Sequence, residues 1–166
     1  MRDDSNIIIR PAVAADWQRM WLIFQAVVAT GTTYVFAPET SYEDARAYFI
    51  GPGIASWVAE DGDAIVGMYK MIPNRCDLGS HVANASFMVD PRCQGRRIGE
   101  ALARHCLCEA RRAGYLAMQF NFVVSTNEPA IALWKELGFQ VVGTVPRAFD
   151  HPTRGLVDAY VMHRLL

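Results

Sequence analysis

No apolar run in this chain approaches the roughly 20 residues that a membrane-spanning helix needs. The first residues, Met1-Arg2-Asp3-Asp4-Ser5, are polar and acidic, and Ile7-Ile8-Ile9 is too short for the apolar region of a signal peptide. A cytoplasmic location is therefore the expectation. Excess charge of either sign is missing too, since the formal net charge is −1. That removes the electrostatic reason to expect a nucleic acid or an anionic membrane as partner. The four cysteines, Cys76, Cys93, Cys106 and Cys108, form no C-x-x-C pair and have no histidines at zinc-site spacing, so they read as reduced thiols with no metal site. There is no internal repeat, low-complexity tract or linker. What remains is 166 residues, 52% hydrophobic and 20% charged, the composition of one globular domain over 1–166 with a sizeable core.

Periodicity and breakers divide the chain. Ile7 to Arg10 is a β-branched strand. Asp16 to Thr30 predicts a helix with Trp17, Met20, Trp21, Phe24 and Val28 near one face. Ser41 caps a second helix through Phe49, and Gly51-Pro52-Gly53 breaks the chain. Strands follow at 56–60 and 64–72 around the turn Asp61-Gly62-Asp63, then a polar loop at 74–80 and a strand at 82–89. A helix over 97–113, a strand over 116–124, a helix from the Asn127 cap to Leu137, and strands at 140–145 and 157–163 complete the order. The series β-α-α-β-β-β-α-β-α-β-β implies one mixed α/β sheet with helices on both faces.

The most informative segment runs Val89-Asp90-Pro91-Arg92-Cys93-Gln94-Gly95-Arg96-Arg97-Ile98-Gly99-Glu100 from strand through loop into helix. A helix N-terminus offers unpaired N–H groups and the positive end of a dipole. Those donors can chelate a phosphate where glycines, here Gly95 and Gly99, let the backbone approach. Arg96 and Arg97 add positive charge. The plainer reading is a strand-to-helix turn whose glycines only relieve strain. Downstream, Ser125-Thr126-Asn127-Glu128-Pro129-Ala130-Ile131-Ala132-Leu133-Trp134-Lys135-Glu136-Leu137-Gly138-Phe139 reads as a capped amphipathic helix followed by a strand.

Together these two segments resemble the GNAT superfamily of N-acetyltransferases. Gln94 to Gly99 is similar to its acetyl-CoA signature Q/R-x-x-G-x-G/A, and 127–139 to its N-x-x-A…L-Y-x-x-L-G-F segment. The match covers about residues 82–145. The resemblance implies a mixed, mostly antiparallel sheet whose fourth and fifth strands splay apart around acetyl-CoA as cosubstrate. It implies cofactor contacts from Met88, Val89, Gln94, Gly95, Arg96, Arg97, Gly99, Glu100, Asn127 and Trp134, with the backbone N–H groups around Met88 and Val89 meeting the acetyl carbonyl and pantetheine. It also admits a homodimer.

Two departures stand out. The first family glycine is Arg97, whose side chain must turn away from the pyrophosphate or give it a guanidinium. The family tyrosine, a proposed proton source for the leaving thiolate, is Trp134, whose indole N–H donates a hydrogen bond but is no acid near neutral pH. A CoA thiolate is a stable leaving group that solvent can protonate. The strand 81–89 also lacks the family's carboxylate base, which leaves a relayed water, His81 or Glu60.

Period two places Asn84, Ser86 and Met88 on one face of their strand, and Gln119, Asn121 and Val123 on one face of theirs. An amide in an apolar strand is costly unless paired. Either each satisfies a neighbouring backbone group, or Asn84 and Asn121 face the splay and orient the acceptor amine. The spacing of Phe120-Asn121 and Thr126-Asn127, with Asn84, resembles the fungal GNAT branch that acetylates proline analogues such as azetidine-2-carboxylate, which implies a small amino acid as acceptor. Trp21, Phe24, Tyr34 and Phe36 either close the acceptor pocket or pack in the core. The reading is an acetyl-CoA-dependent N-acetyltransferase for a small-molecule amine. The alternatives are a protein or peptide N-acetyltransferase, favoured by a peptide-wide groove between 31–40 and 146–156, and a non-catalytic acyl-CoA-binding module.

Overall fold

Strand-forming and helix-forming segments fall close to where periodicity places them. The computed structural model describes residues 7–166, and the polar N-terminus read above, residues 1–6, lies outside the described residues. The elements are β1 (Ile7–Pro11), α1 (Trp17–Val28), α2 (Tyr42–Phe49), β2 (Ala55–Asp61), β3 (Ala64–Pro73), β4 (Val82–Val89), α3 (Ile98–Arg112), β5 (Ala117–Val124), α4 (Glu128–Glu136), β6 (Gln140–His151) and β7 (Gly155–Leu165). The strands form one seven-stranded sheet in the order β1-β2-β3-β4-β5-β7-β6. Every neighbouring pair is antiparallel except β4 and β5, which run parallel. Helices cover both faces, as expected.

Each face has its own core. On one, Trp17, Met20 and Phe24 of α1 and Phe49 of α2 pack onto Val58, Met68 and Met88 of the sheet. On the other, Ile98, Leu102 and Cys106 of α3 and Trp134 of α4 pack with Tyr69, Met118 and Phe120. Burying a large apolar side chain contributes about 1.5–3 kcal/mol, so these two clusters hold the helices on the sheet. The α2 cap is as read: Ser41 Oγ accepts from the Asp44 N–H at 3.1 Å. Gly67 of β3 sets how closely α3 approaches, because a Cβ there would meet Leu102 Cδ1 at 2.9 Å and Ile98 Cγ2 at 3.1 Å. That approach seats the first turn of α3 beside the end of β4.

Two details differ from the sequence reading. The last hairpin is longer than strands at 140–145 and 157–163. β6 continues through Pro146 to His151 because a register shift between Val145 and Phe149 places the proline in a bulge, where its missing N–H breaks no ladder. Arg147 turns there with φ 53°, and its N–H donates to Asp158 Oδ1 at 2.9 Å. In β5 the strict alternation also fails. A register shift lies between Phe120 and Val123, so Val123 packs in the same cluster as Met118 and Phe120 instead of sharing a face with Gln119 and Asn121.

Candidate active site

Parallel β4 and β5 pair only at Val82–Ala117 and Ala83–Met118, then diverge. Beyond that point the facing backbone groups of the two strands have no ladder to each other, and buried polar backbone needs partners. The bulge in β5 adds to the divergence by bending the strand. The splay opens a cavity of about 350 Å³. Its walls are Asn84 to Phe87 on β4, Phe120 to Val124 on β5, and Asn127, Ala130 and Trp134 of the α4 segment. Residues 33–36 and Tyr48 close the end nearest α2.

The asparagines singled out from sequence both reach this cavity. Asn121 is held at both ends of its amide, with one N–H and one lone pair still free: its Nδ2 donates to Asn74 Oδ1 at 2.6 Å, and its Oδ1 accepts from Gln119 Nε2 at 3.0 Å. Its partners are side chains from the loop after β3 and from its own strand, not the neighbouring backbone groups of the plainer reading. Asn84 makes no side-chain hydrogen bond among the described residues. Asn127 caps α4, accepting from the Ala130 N–H at 3.4 Å. Trp134 is 9% exposed and packs against Phe87, Phe120 and Phe139, with ring centroids 5.1, 4.6 and 5.8 Å away.

Two tyrosine hydroxyls are bonded at this site, that of Tyr48, which the sequence did not single out, and that of Tyr34, which it did. Tyr48 shares a 2.6 Å hydrogen bond with Ser86 Oγ, and the Tyr34 hydroxyl donates to the Phe87 carbonyl at 2.6 Å. Burial raises both phenols above their ordinary value, so both stay protonated at neutral pH. Tyr34 and Phe36 do line the pocket, as one reading of the N-terminal aromatics had it. Phe24 is a core residue instead, and Trp21 stacks on it at 5.6 Å. Asn74 and Tyr48 reach the site only because the loop after β3 and the α2 helix fold over it. A lone polar residue in either segment announces nothing.

The loop before α3 is held from below. Asp90 is buried and accepts from the Arg92 N–H at 2.9 Å and from its guanidinium at 2.7 Å, which keeps its carboxyl below the usual range. Arg97 is the N-cap of α3, with φ 57° and no capping side-chain bond. The first helical hydrogen bond runs from the Ala101 N–H to the Arg97 carbonyl, so the N–H groups of Ile98, Gly99 and Glu100 are left for other partners. Arg96 pairs with Asp61 at 2.8 Å and Arg97 with Glu100 at 3.6 Å. Arg96, Arg97 and Glu100 border a second cavity of about 380 Å³ together with Ile98 and Arg104. Gln94 and Gly95 lie in the loop outside both cavities. Met88 is buried beneath α1, and Val89 faces Gly99, where a Cβ would meet Val89 Cγ2 at 3.8 Å.

Neither side chain offered as a base lies at the cavity. His81 is exposed at the head of β4. Glu60 is bound by Arg10 at 2.5 Å, which holds its carboxyl below the usual range and keeps it a poor base. No group of histidine, cysteine or acidic residues among the described residues could hold a metal ion. No helix among them is long and apolar enough to cross a membrane.

A strand-splay cavity beside an open helix N-terminus agrees with a family match. Residues 16–139 match the Acetyltransferase (GNAT) family. The chain belongs to the GNAT acetyltransferase family. Membership makes it an N-acetyltransferase and sets aside the non-catalytic acyl-CoA-binding alternative. This GNAT enzyme is 31% identical to the L-amino acid N-acetyltransferase AaaT of Escherichia coli, over 97% of this chain and 99% of that one. A GCN5-related N-acetyltransferase from Kribbella flavida is 44% identical and superposes with a TM-score of 0.94, covering 99% of this chain and 100% of that one. An acetyltransferase from Salmonella typhimurium, solved with its cofactor acetyl-CoA, is 25% identical with a TM-score of 0.82, covering 98% of this chain and 95% of that one.

Proposed function

We propose that this enzyme moves the acetyl group of acetyl-CoA to the amine of a small molecule, an amino acid or a proline-like analogue. The observation that carries the acceptor's size is the volume of the splay cavity, about 350 Å³, at the small end of ligand sites. The segments 31–40 and 146–156 also approach at one point, where a Cβ placed on Gly31 would come within 3.6 Å of the Pro152 ring, which narrows the room for a peptide groove there. The similarity to an L-amino acid N-acetyltransferase supports the same class.

In this reading the pyrophosphate of acetyl-CoA lies at the loop from Gln94 to Glu100, on the open N–H groups of α3. Strain relief accounts for Gly95, with φ 78°, but not for Gly99, which is helical, and a close phosphate does account for it. Arg96 and Arg97 add charge to that end. Pantetheine follows the splay past Val89 and Met88 toward Asn127 and Trp134. The backbone N–H groups of β4 stabilise the thioester oxygen as it gains charge. Asn84 and Asn121 orient the acceptor. Holding amine and thioester together can lower the barrier by about 7–11 kcal/mol. With no carboxylate on β4, water takes the proton from the amine.

Thiol release from acetyl-CoA, measured across a panel of free amino acids, simple amines and short peptides, tests the proposal. Free amino acids should support the fastest release. Faster release with peptides would overturn the assignment to small acceptors.

A further inference from the structure

Lys70 lies in the middle of β3, is 5% exposed, and is the only buried lysine or arginine among the described residues. It stands directly across from Ser86 of β4, so both side chains project from the same face of the sheet. Ser86 lines the main cavity, and so does Tyr48, whose hydroxyl meets Ser86 Oγ at 2.6 Å. The Lys70 Nζ rests 3.1 Å from the centroid of the Tyr48 ring. Among the described residues no carboxylate pairs with it. Burial lowers it to about 8 with no acidic group acting in the other direction, so it is still mainly cationic at pH 7.

A largely buried lysine whose ammonium has an aromatic face and no carboxylate beside it is an expensive arrangement for a structural residue. Methionine would fill the same space with no charge to desolvate. Asp16 shows how this chain treats a buried structural charge: its carboxylate takes guanidinium bonds from the more exposed Arg10 at 2.7 Å and Arg19 at 3.0 Å. Lys70 lacks such a partner and sits one residue pair from the acceptor end of the cavity, behind side chains that form its wall.

We propose that Lys70 is the counter-charge for an acidic group on the acceptor, the carboxylate of an α-amino acid, read at the Tyr48–Ser86 wall of the cavity. The proposal rests on the small-acceptor reading above and deepens it. The carboxylate supplies the opposite charge that the fold omits, and the Tyr48–Ser86 hydroxyl pair keeps one proton free to donate to it. The amino group, one carbon away, is then directed back toward the splay, where Asn84 and Asn121 stand.

The test is steady-state kinetics of the full chain with the best L-amino acid of the panel, its carboxamide and its decarboxylated amine. The unmodified enzyme should prefer the acid. Lys70→Met should raise the KM for the acid about tenfold, the loss expected when a nearby opposite charge is removed in a partly desolvated site. The KM for the carboxamide and for acetyl-CoA should change by less than about twofold. Lys70→Arg should keep the preference for the acid. The melting temperature of Lys70→Met should equal or exceed that of the unmodified protein, because a buried charge has been removed. An equal loss with acid and carboxamide, unchanged kinetics with the acid, or an unmodified enzyme that prefers the carboxamide would overturn the proposal. Failure of the small-acceptor reading shows separately, as no turnover of any free amine by the unmodified enzyme, and overturns both. If Lys70→Met does not fold, Lys70→Gln answers the same question.

Discussion

Arg97 opens helix α3 in the left-handed conformation, at φ 57°, and its guanidinium reaches forward to the Glu100 carboxylate at 3.6 Å. The pair explains how an arginine occupies a position where the family signature has glycine. The backbone still turns as glycine would, and the side chain is drawn along the first turn of the helix, 80% exposed, instead of across the loop. A non-glycine residue in this conformation carries strain of about 1–2 kcal/mol.

Arg97→Gly should therefore raise stability. Relief of strain outweighs the added freedom of the unfolded chain, about 0.4–1 kcal/mol, and leaves a gain of up to about 1 kcal/mol. A higher urea midpoint at unchanged slope would show it. CoA should still raise the melting temperature of this variant, because the open N–H groups of α3 remain. No thermal shift of the unmodified protein at millimolar CoA would count against the pyrophosphate site altogether.

Trp134→Phe should keep most of its turnover. The indole is packed among Phe87, Phe120 and Phe139 and has no acid to offer. Loss of a true general acid lowers rate by about a hundredfold or more, and this variant should fall well short of that in a thiol-release assay. A larger drop with cofactor binding intact would assign the indole N–H a part in the transition state.

Asn74 and Asn121 should act as one unit. Removing Asn121 takes the donor from Asn74 Oδ1, and removing Asn74 leaves the Asn121 amide N–H without its acceptor, held only through Gln119. Asn121→Ala and Asn74→Ala should each raise the acceptor KM and leave that of acetyl-CoA little changed. The double variant should be no worse than the sum less about 0.5–3 kcal/mol of coupling. Lower stability with wild-type acceptor kinetics would make the relay structural only.

Acid should unfold the protein partly through Asp16. Hydrogen bonding to Arg10, helped by the Val13 N–H and Arg19, pulls its carboxyl down to about 2 against burial. A carboxylate lowered in the folded state stabilises it above the unfolded value of 3.8 and loses that contribution as pH falls toward 2. Asp16→Asn should flatten the fall in melting temperature between pH 4 and about 2, and should be less stable at pH 7.

Much of this was legible in the chain itself, because it is local. Ser41 and Asn127 cap helices wherever they stand before an amphipathic run. The glycines and arginines of 94–99 mark a strand-to-helix loop with open donors. Two motifs in order and spacing gave the family, and the family brought the sheet and its splay. Even the missing β4 carboxylate and the indole at Trp134 were plain as residue types.

Other features depend on which distant segments meet. Strict alternation put Val123 beside Asn121, but the bulge in β5 is set by pairing to β7, and it turned Val123 to the opposite core. The length of the final hairpin depended on whether a bulge would absorb Pro146, which no window of sequence decides. Glu60 lost its standing as a base to Arg10, 50 residues away. Asn74 met Asn121, and Tyr48 met Ser86 and Lys70, only when a loop, a helix and two strands were brought together. A side chain's type is written in the sequence, but whether its charge or amide is paired is a property of the neighbours that folding brings to it.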